Sequence, residues 1–311
     1  MGEWSKKIGE YGENVAEKFF SVIGWNDMQK GVSIPCMKTN GEHLNDEGNP
    51  SETHGIDNLF SYNSPLVDGH INNVLISVKY KTVKYPNSPT KLFKGFMEDL
   101  INQMECFEYS NKKDSLMAGI HCNVINDIGV LFWLNNKKDS NDDLISVISS
   151  ARIDYSGDKT IYIMDNKRVA FILDVMKFIK TKAIEYDYTF YYPSTGQNIN
   201  PIIRDSSGKI LPVEYLNSSI IPIKLQNIAN PKENCLFIAV LDNFEEDCFL
   251  RIMGLAKEIS STFASQTIIA FHDYDELNHK EMVSNAKLRF QESSYVKTVS
   301  VLNFNDPLNA F

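Results

Sequence analysis

The chain has 311 residues, 43% of them hydrophobic and 11% aromatic, with 31 Lys+Arg against 40 Asp+Glu for a net charge of −9. That much apolar material excludes a disordered or low-complexity chain. The acidic balance argues against a protein that coats nucleic acid by charge, but not against an enzyme with one local basic groove.

The opening Met-Gly-Glu-Trp-Ser-Lys-Lys is polar and amphipathic with no apolar signal core, and Lys6 stands where a myristoylation signal requires Ser or Thr. No apolar run nears the ~18 residues that span a bilayer. Five scattered cysteines (Cys36, Cys106, Cys122, Cys235, Cys248) make no disulfide framework, and along the chain no Cys/His group has zinc spacing. A soluble, reduced, cytoplasmic protein without membrane contact is expected.

Residues 4–24 have helical periodicity (Ile8, Tyr11, Val15, Phe19, Val22, Ile23), with Gly24 as the stop. Strands are expected over 28–37, 56–62 and 74–80, the first two separated by a polar loop at 40–51. Leu92, Phe93, Phe96, Leu100, Met104 and Phe107 mark a second helix. Two further strands, 116–124 and 129–134, are expected around the turn-like Asn126-Asp127. The order is α-β-β-β-α-β-β within about residues 1–135. A polar loop at 135–150 and a helix at 167–182 form a helical connection over 136–185. Beyond it, strands at 188–192, 236–241 and 266–271 and a helix at 245–261 give a β-α-β unit. A C-terminal α/β domain of unassigned role is therefore expected at 186–311.

Asp57, in His54-Gly55-Ile56-Asp57, opens one strand, and Lys79, in Ile76-Ser77-Val78-Lys79, lies near the end of the next. Adjacent strands can bring the two to one site. The aspartate is a hard-oxygen ligand suited to Mg²⁺, and the lysine can position or deprotonate water beside a scissile phosphate. Glu13, at the edge of the first helix's apolar stripe, can complete the shell. The same residues also fit plain structural roles: a solvated helix-face charge, a strand-edge turn residue and a snorkelling edge lysine.

Residues 4–125 resemble the PD-(D/E)xK, restriction-endonuclease-like superfamily, through Gly12-Glu13 on the first helix, the Gly-Ile-Asp strand and the strand ending in Val78-Lys79. The resemblance implies an αβββαβ core, Asp57 and Glu13 as ligands of Mg²⁺ (or Mn²⁺), and Lys79 assisting the attacking water. Where the superfamily carries an acid two residues before the lysine, this chain has Ser77. Some restriction enzymes of this fold look similar and take the acid from the following helix, a role open here to Glu98 or Asp99. Gln103 resembles a polar residue that related nucleases direct at the site. The Gly-Glu helix ending in Ile-Gly-Trp looks like nuclease subunits of multi-gene phage-defence systems, which implies a partner protein of the same system and self-association; DNA is the expected substrate, with an RNA-directed nuclease as another reading. Ser77 leaves a second reading open, a catalytically inactive nuclease-fold subunit that binds nucleic acid or a partner protein.

From Gly69 to Met97 there are five lysines and no acid. Lys81, Lys84, Lys91 and Lys94 are expected to meet phosphates, with Tyr80 and Tyr85 stacking on sugar or base. A solvated lysine-rich loop is the other reading, and Asp46, Glu47 and Glu52 oppose phosphate binding from the preceding loop. His54 is expected to line the site or support a turn, and His121 to be a satisfied core residue of a strand. In the C-terminal part, Asp242, His272 and Asp273 fall at the carboxyl edge of parallel strands. Glu245, Glu246 and Asp247 complement the next helix's dipole.

Overall fold

The computed structural model describes residues 2–38, 41–45, 48–136, 143–153, 157–200, 202–260, 263–306 and 308. It divides into two compact units: Met1–Ser64 with Gly69–Val169, and Pro65–Asp68 with Ala170–Phe311.

In the first unit the elements run α1 (Gly2–Val22), β1 (Gln29–Pro35), β2 (Thr53–Asn63), β3 (His70–Lys81), α2 (Thr90–Glu108), α3 (Asn111–Met117), β4 (Val124–Asn135), α4 (Leu144–Ile148) and β5 (Thr160–Met164). The strands form one sheet in the order β1-β2-β3-β4-β5. Its first three strands are antiparallel neighbours, and β3-β4 and β4-β5 are parallel. This is the expected αβββαβ core. The stretch expected to be a helical connection contains β5, which is an edge strand of this sheet.

The buried face of α1 carries Gly12, Ala16, Phe19 and Phe20, with Ile23 buried just beyond its end, and Tyr11, expected in the apolar stripe, is exposed. Gly12 explains the rotation. A Cβ there would stand 2.5 Å from Tyr80 Cβ, so only glycine lets the helix lie this close to β3. Gly24 takes φ 86° and ends the helix, a conformation that glycine adopts without strain. On α2, Phe93, Met97, Leu100, Met104 and Phe107 are buried at helical spacing and pack with Leu59, Leu75, Leu131 and Trp133 of the sheet.

The structure corrects the reading between 111 and 135. Leu116 belongs to α3, residues 118–123 form no strand, and β4 runs unbroken through Asn126-Asp127. Turn-forming residues are tolerated there because each has a cross-strand partner. Asn126 pairs with Asn72 (Nδ2 to Oδ1, 3.0 Å), and Asp127 accepts from Asn73 Nδ2 at 3.0 Å and pairs with Lys113. His121, expected in a strand core, is exposed between α3 and β4.

The second unit begins within α5 (Asn166–Thr181) and continues through β6 (Tyr186–Tyr191), β7 (Ser207–Gly208), a 3₁₀ turn (Val213–Asn217), β8 (Ile220–Asn227), β9 (Asn234–Val240), α6 (Glu246–Ser260), β10 (Gln266–Phe271), α7 (Glu276–Arg289), α8 (Ser293–Val296) and β11 (Val299–Asn303). Its sheet has the order β11-β10-β9-β8-β6-β7. The β9-α6-β10 unit is parallel, as the two apolar strands flanking a helix lead one to expect. Among the C-terminal acids, Asp273 accepts the Phe244 N–H at 2.9 Å, and Glu246 and Asp247 both pair with Arg289. These contacts tie the helix ends together.

Candidate active site

β2 and β3 part company in the middle of the first sheet. Their pairing ends at Asn58↔Ile76. Residues 53–56 of β2 continue against β1, and residues 77–81 of β3 continue against β4. The two strand ends therefore diverge as a fork, with Asp57 on one arm and Lys79 on the other. Asp57 stands at the crotch: its Oδ2 accepts the Val78 N–H at 2.6 Å, replacing the ladder bond that the splay removes.

A cavity of ≈480 Å³ opens at this fork, and Asp57, Lys79, His54, Gly95, Glu98, Asp99, Asn102 and Gln103 are among its lining residues. α2 presents Gly95, Glu98, Asp99, Asn102 and Gln103 at i, i+3, i+4, i+7 and i+8, one face of a helix. Lys79 Nζ lies 2.9 Å from Asp99 Oδ2 and 5.3 Å from the centroid of the Phe96 ring, so α2 holds the ammonium at the cavity wall.

The electrostatics are those of a cation site. Burial pushes the Asp57 carboxyl up from the usual carboxylate range, against the pull of the Val78 N–H and the Lys79 ammonium, and the charge of Asp99 adds to the push. Desolvation also raises Glu13, followed by the charges of Asp57 and Glu10. Gly12 brings α1 against β3, and that close approach sets Glu13 within electrostatic reach of Asp57. A carboxyl raised by burial and by the charge of a neighbouring acid is relieved by a divalent cation. Gln103 is 4% exposed and its Oε1 has no hydrogen-bond partner among the described residues, which adds a hard oxygen in need of one. The donor set therefore fits Mg²⁺ or Mn²⁺.

The structure brings Asp57, Lys79, Glu98 and Gln103 to one cavity, with Glu13 close to Asp57. Ser77 lies on β3 between the fork and the lysine. It is 1% exposed, with its Oγ unpartnered among the described residues, and it does not line the cavity. Asp99, weighed beside Glu98, is the acid that contacts Lys79, and Asn102 was not foreseen at all. The i, i+3, i+4, i+7 polar stripe on α2 was the available signal for both.

Lys81, Lys84 and Lys91 are exposed and Lys94 half-buried, and none of the four has an ion-pair partner among the described residues. Tyr80 is engaged in packing: its ring sits 5.3 Å from that of Tyr11 and against Gly12. Tyr85 donates to the Trp133 carbonyl at 2.7 Å and packs edge-on to the Trp133 ring. Asp46 and Glu47 lie outside the described residues.

No curated protein matches the chain. Among the described residues, no helix is long and apolar enough to cross a membrane. Residues 1–168 match the family model described as the GAPS4 protein PD-(D/E)XK nuclease domain. That match covers more than half of the chain, from α1 and the forked strands through α2 to β5, and the chain belongs to this nuclease family of anti-phage defence.

Proposed function

We propose that the first unit is a divalent-metal-dependent endonuclease that hydrolyses DNA phosphodiester bonds at the β2–β3 fork. The observation that carries this reading is the convergence of Asp57, Lys79 and the α2 acids on one cavity. Asp57 would hold Mg²⁺ or Mn²⁺ with Glu98 or Asp99 and with Glu13, and the Gln103 carbonyl is a further oxygen at the same wall. When bound, the ion would supply Lewis-acid polarisation of the phosphate and of the attacking water. Lys79 is placed to orient that water, to take part in its proton transfer and to offset charge growing on the phosphate oxygens. Asp99, at 2.9 Å, keeps the ammonium aimed into the cleft. Lys81, Lys84, Lys91 and Lys94 would position the backbone of the nucleic acid without reading its sequence. The setting is cytoplasmic anti-phage defence. A partner protein of the same system and a homo-oligomer belong to this reading, because cutting two strands usually takes two active sites.

Ser77 favours a second reading. A buried serine in place of the usual acid suits a nuclease-fold subunit that binds without cutting. Plasmid cleavage with Mg²⁺ or Mn²⁺ separates the two. The wild type is expected to nick or linearise the plasmid, with Asp57→Ala and Lys79→Ala each slower by about 100-fold or more. Cleavage that survives both substitutions would overturn the site assignment. A wild type that cuts neither DNA nor RNA, alone or with its partner, would favour the binding subunit.

A further inference from the structure

No Cys/His group along the chain has zinc spacing, yet the fold gathers four such side chains in the first unit. Cys36 follows β1, His43 lies between β1 and β2, His54 is on β2 and Cys106 is on α2, and their ligating atoms all lie within 4.8 Å of one another. Cys106, His43 and His54 are 0%, 4% and 7% exposed.

Four of the six distances between these atoms have the lengths of a tetrahedron's edges. The two sulfurs are 3.9 Å apart, His43 Nδ1 and His54 Nε2 are 3.3 Å apart, and His43 Nδ1 is 3.6 Å from Cys36 Sγ and 3.4 Å from Cys106 Sγ. Bonds of ~2.3 Å to sulfur and ~2.0–2.1 Å to nitrogen at the tetrahedral angle set edges of roughly 3.8 Å for S···S, 3.3–3.4 Å for N···N and 3.5–3.6 Å for S···N. Each measured edge falls within about 0.2 Å of its value.

Hydrogen bonding alone does not account for this geometry. His43 Nδ1 has either one proton or one lone pair, yet three polar atoms crowd it at 3.3–3.6 Å. The other nitrogen is already committed, since His43 Nε2 lies 3.2 Å from Glu105 Oε2. A carboxylate there fixes the Nε2–H tautomer and turns the Nδ1 lone pair toward the cluster, the outer-shell arrangement of metal-bound histidines. The Met37 N–H donates to Cys106 Sγ at 3.2 Å, as a thiolate ligand requires.

We propose that Cys36, His43, His54 and Cys106 bind one structural Zn²⁺ that clamps the β1–β2 segment to α2. Two soft sulfurs and two imidazoles in a closed tetrahedron select zinc over the hard cations suited to the carboxylate cleft, and four protein ligands leave no open position for catalysis. His54 belongs to both places, lining the cavity and closing the tetrahedron. The clamp would thereby fix one wall of the cleft.

The test is the metal content of the full-length protein, purified under reducing conditions without chelator. We expect one zinc per chain, with two sulfur and two nitrogen scatterers in zinc-edge X-ray absorption, and tetrahedral thiolate bands after Co²⁺ substitution. Cys36→Ser and Cys106→Ser are each expected to lower zinc content roughly tenfold or more, with Cys122→Ser unchanged. Glu105→Gln should retain the ion but release it to a competing chelator roughly 10- to 100-fold more readily. Three results would overturn the proposal: wild-type protein that neither contains nor takes up Zn²⁺ or Co²⁺, full zinc content in Cys106→Ser, or a Cys36–Cys106 disulfide. Should the cysteine variants fail to fold, the absorption and Co²⁺ spectra of the wild type decide alone. None of these measurements depends on nuclease activity.

Discussion

Gly12→Ala is the smallest change that tests how α1 positions the site. The new Cβ would meet Tyr80 Cβ at 2.5 Å, Tyr80 Cγ at 3.1 Å and Val78 Cγ1 at 3.6 Å. Ordinary carbon contacts need about 3.5–4 Å, so α1 must retreat from β3 by about 1 Å. Overpacking of this kind costs about 1–3 kcal/mol. Alanine's better helix propensity returns about 1 kcal/mol, leaving a net loss of up to about 2 kcal/mol. In a unit of this size that lowers Tm by up to about 8 °C. The retreat also carries Glu13 away from Asp57, and a displacement of about 1 Å in a catalytic shell slows turnover by up to about 100-fold. Gly9→Ala is the control, because it makes the same substitution on the same helix with nothing within 4 Å of the new Cβ. It is expected to raise Tm slightly and leave cleavage unchanged. Thermal melts followed by circular dichroism, paired with plasmid cleavage, give both readouts. If the two variants shift Tm in the same direction and cut alike, the close approach of α1 does not position the site.

Asp99→Asn should change stability by less than about 1 kcal/mol, because Asp99 is 47% exposed, yet slow cleavage by about 100-fold by loosening Lys79; an equal loss in both would make the pair merely structural. Replacing Lys81, Lys84 and Lys91 together with alanine should flatten the salt dependence of duplex binding by about 2–3 in log–log slope, measured by anisotropy without divalent ions. An unchanged slope would place the phosphates elsewhere. In the second unit, burial pushes the Glu214 carboxyl up from its ordinary 4.5, and its Oε2 has no partner among the described residues. The stability that comes from holding this proton is full below pH 4.5 and lost as pH rises through the folded value. Glu214→Gln is therefore expected to raise stability at pH 7–8 by about 1–2 kcal/mol, the gain closing at acid pH; a constant gain across the pH range would refute this.

Asp57 and Lys79 were legible in the sequence because each sits on its own strand-like segment, and consecutive strands usually pair. The fork between them was not legible, since it depends on where pairing switches from one neighbour to another. Glycine explains the misjudged phase of α1. A periodicity of apolar residues assigns Gly12 no weight, while in the fold it is the point of closest approach. The Asn126-Asp127 turn failed for a related reason. Its side chains find partners in Asn72 and Asn73 on β3, more than fifty residues earlier, and that pairing overrides the local preference. The acid missing at Ser77 is the subtler case. Asp99 and Gln103 are ordinary helix residues until the helix is phased against its buried stripe. Only then do they share a face with Asn102, directed at the fork.

One helix joins the core, the cleft and the Cys/His cluster of this unit, and its geometry separates them. α2 buries Phe93, Leu100 and Phe107, lines the cleft with Asp99 and Gln103, and offers Cys106 to the Cys/His tetrahedron. Inserting one residue would rotate everything beyond it by about 100° and break all three registers at once. Asp99 and Cys106 are seven residues apart, so their backbones are separated by about 10 Å along the helix. Ions that share a displacement reaction sit about 3.5–4 Å apart. A zinc held through Cys106 is thus too far from an ion held at Asp99 to act with it as a catalytic pair. Its effect on cleavage must pass through His54 and the wall it holds, so weakening the tetrahedron through Glu105 should disturb cleavage far less than Asp57→Ala does.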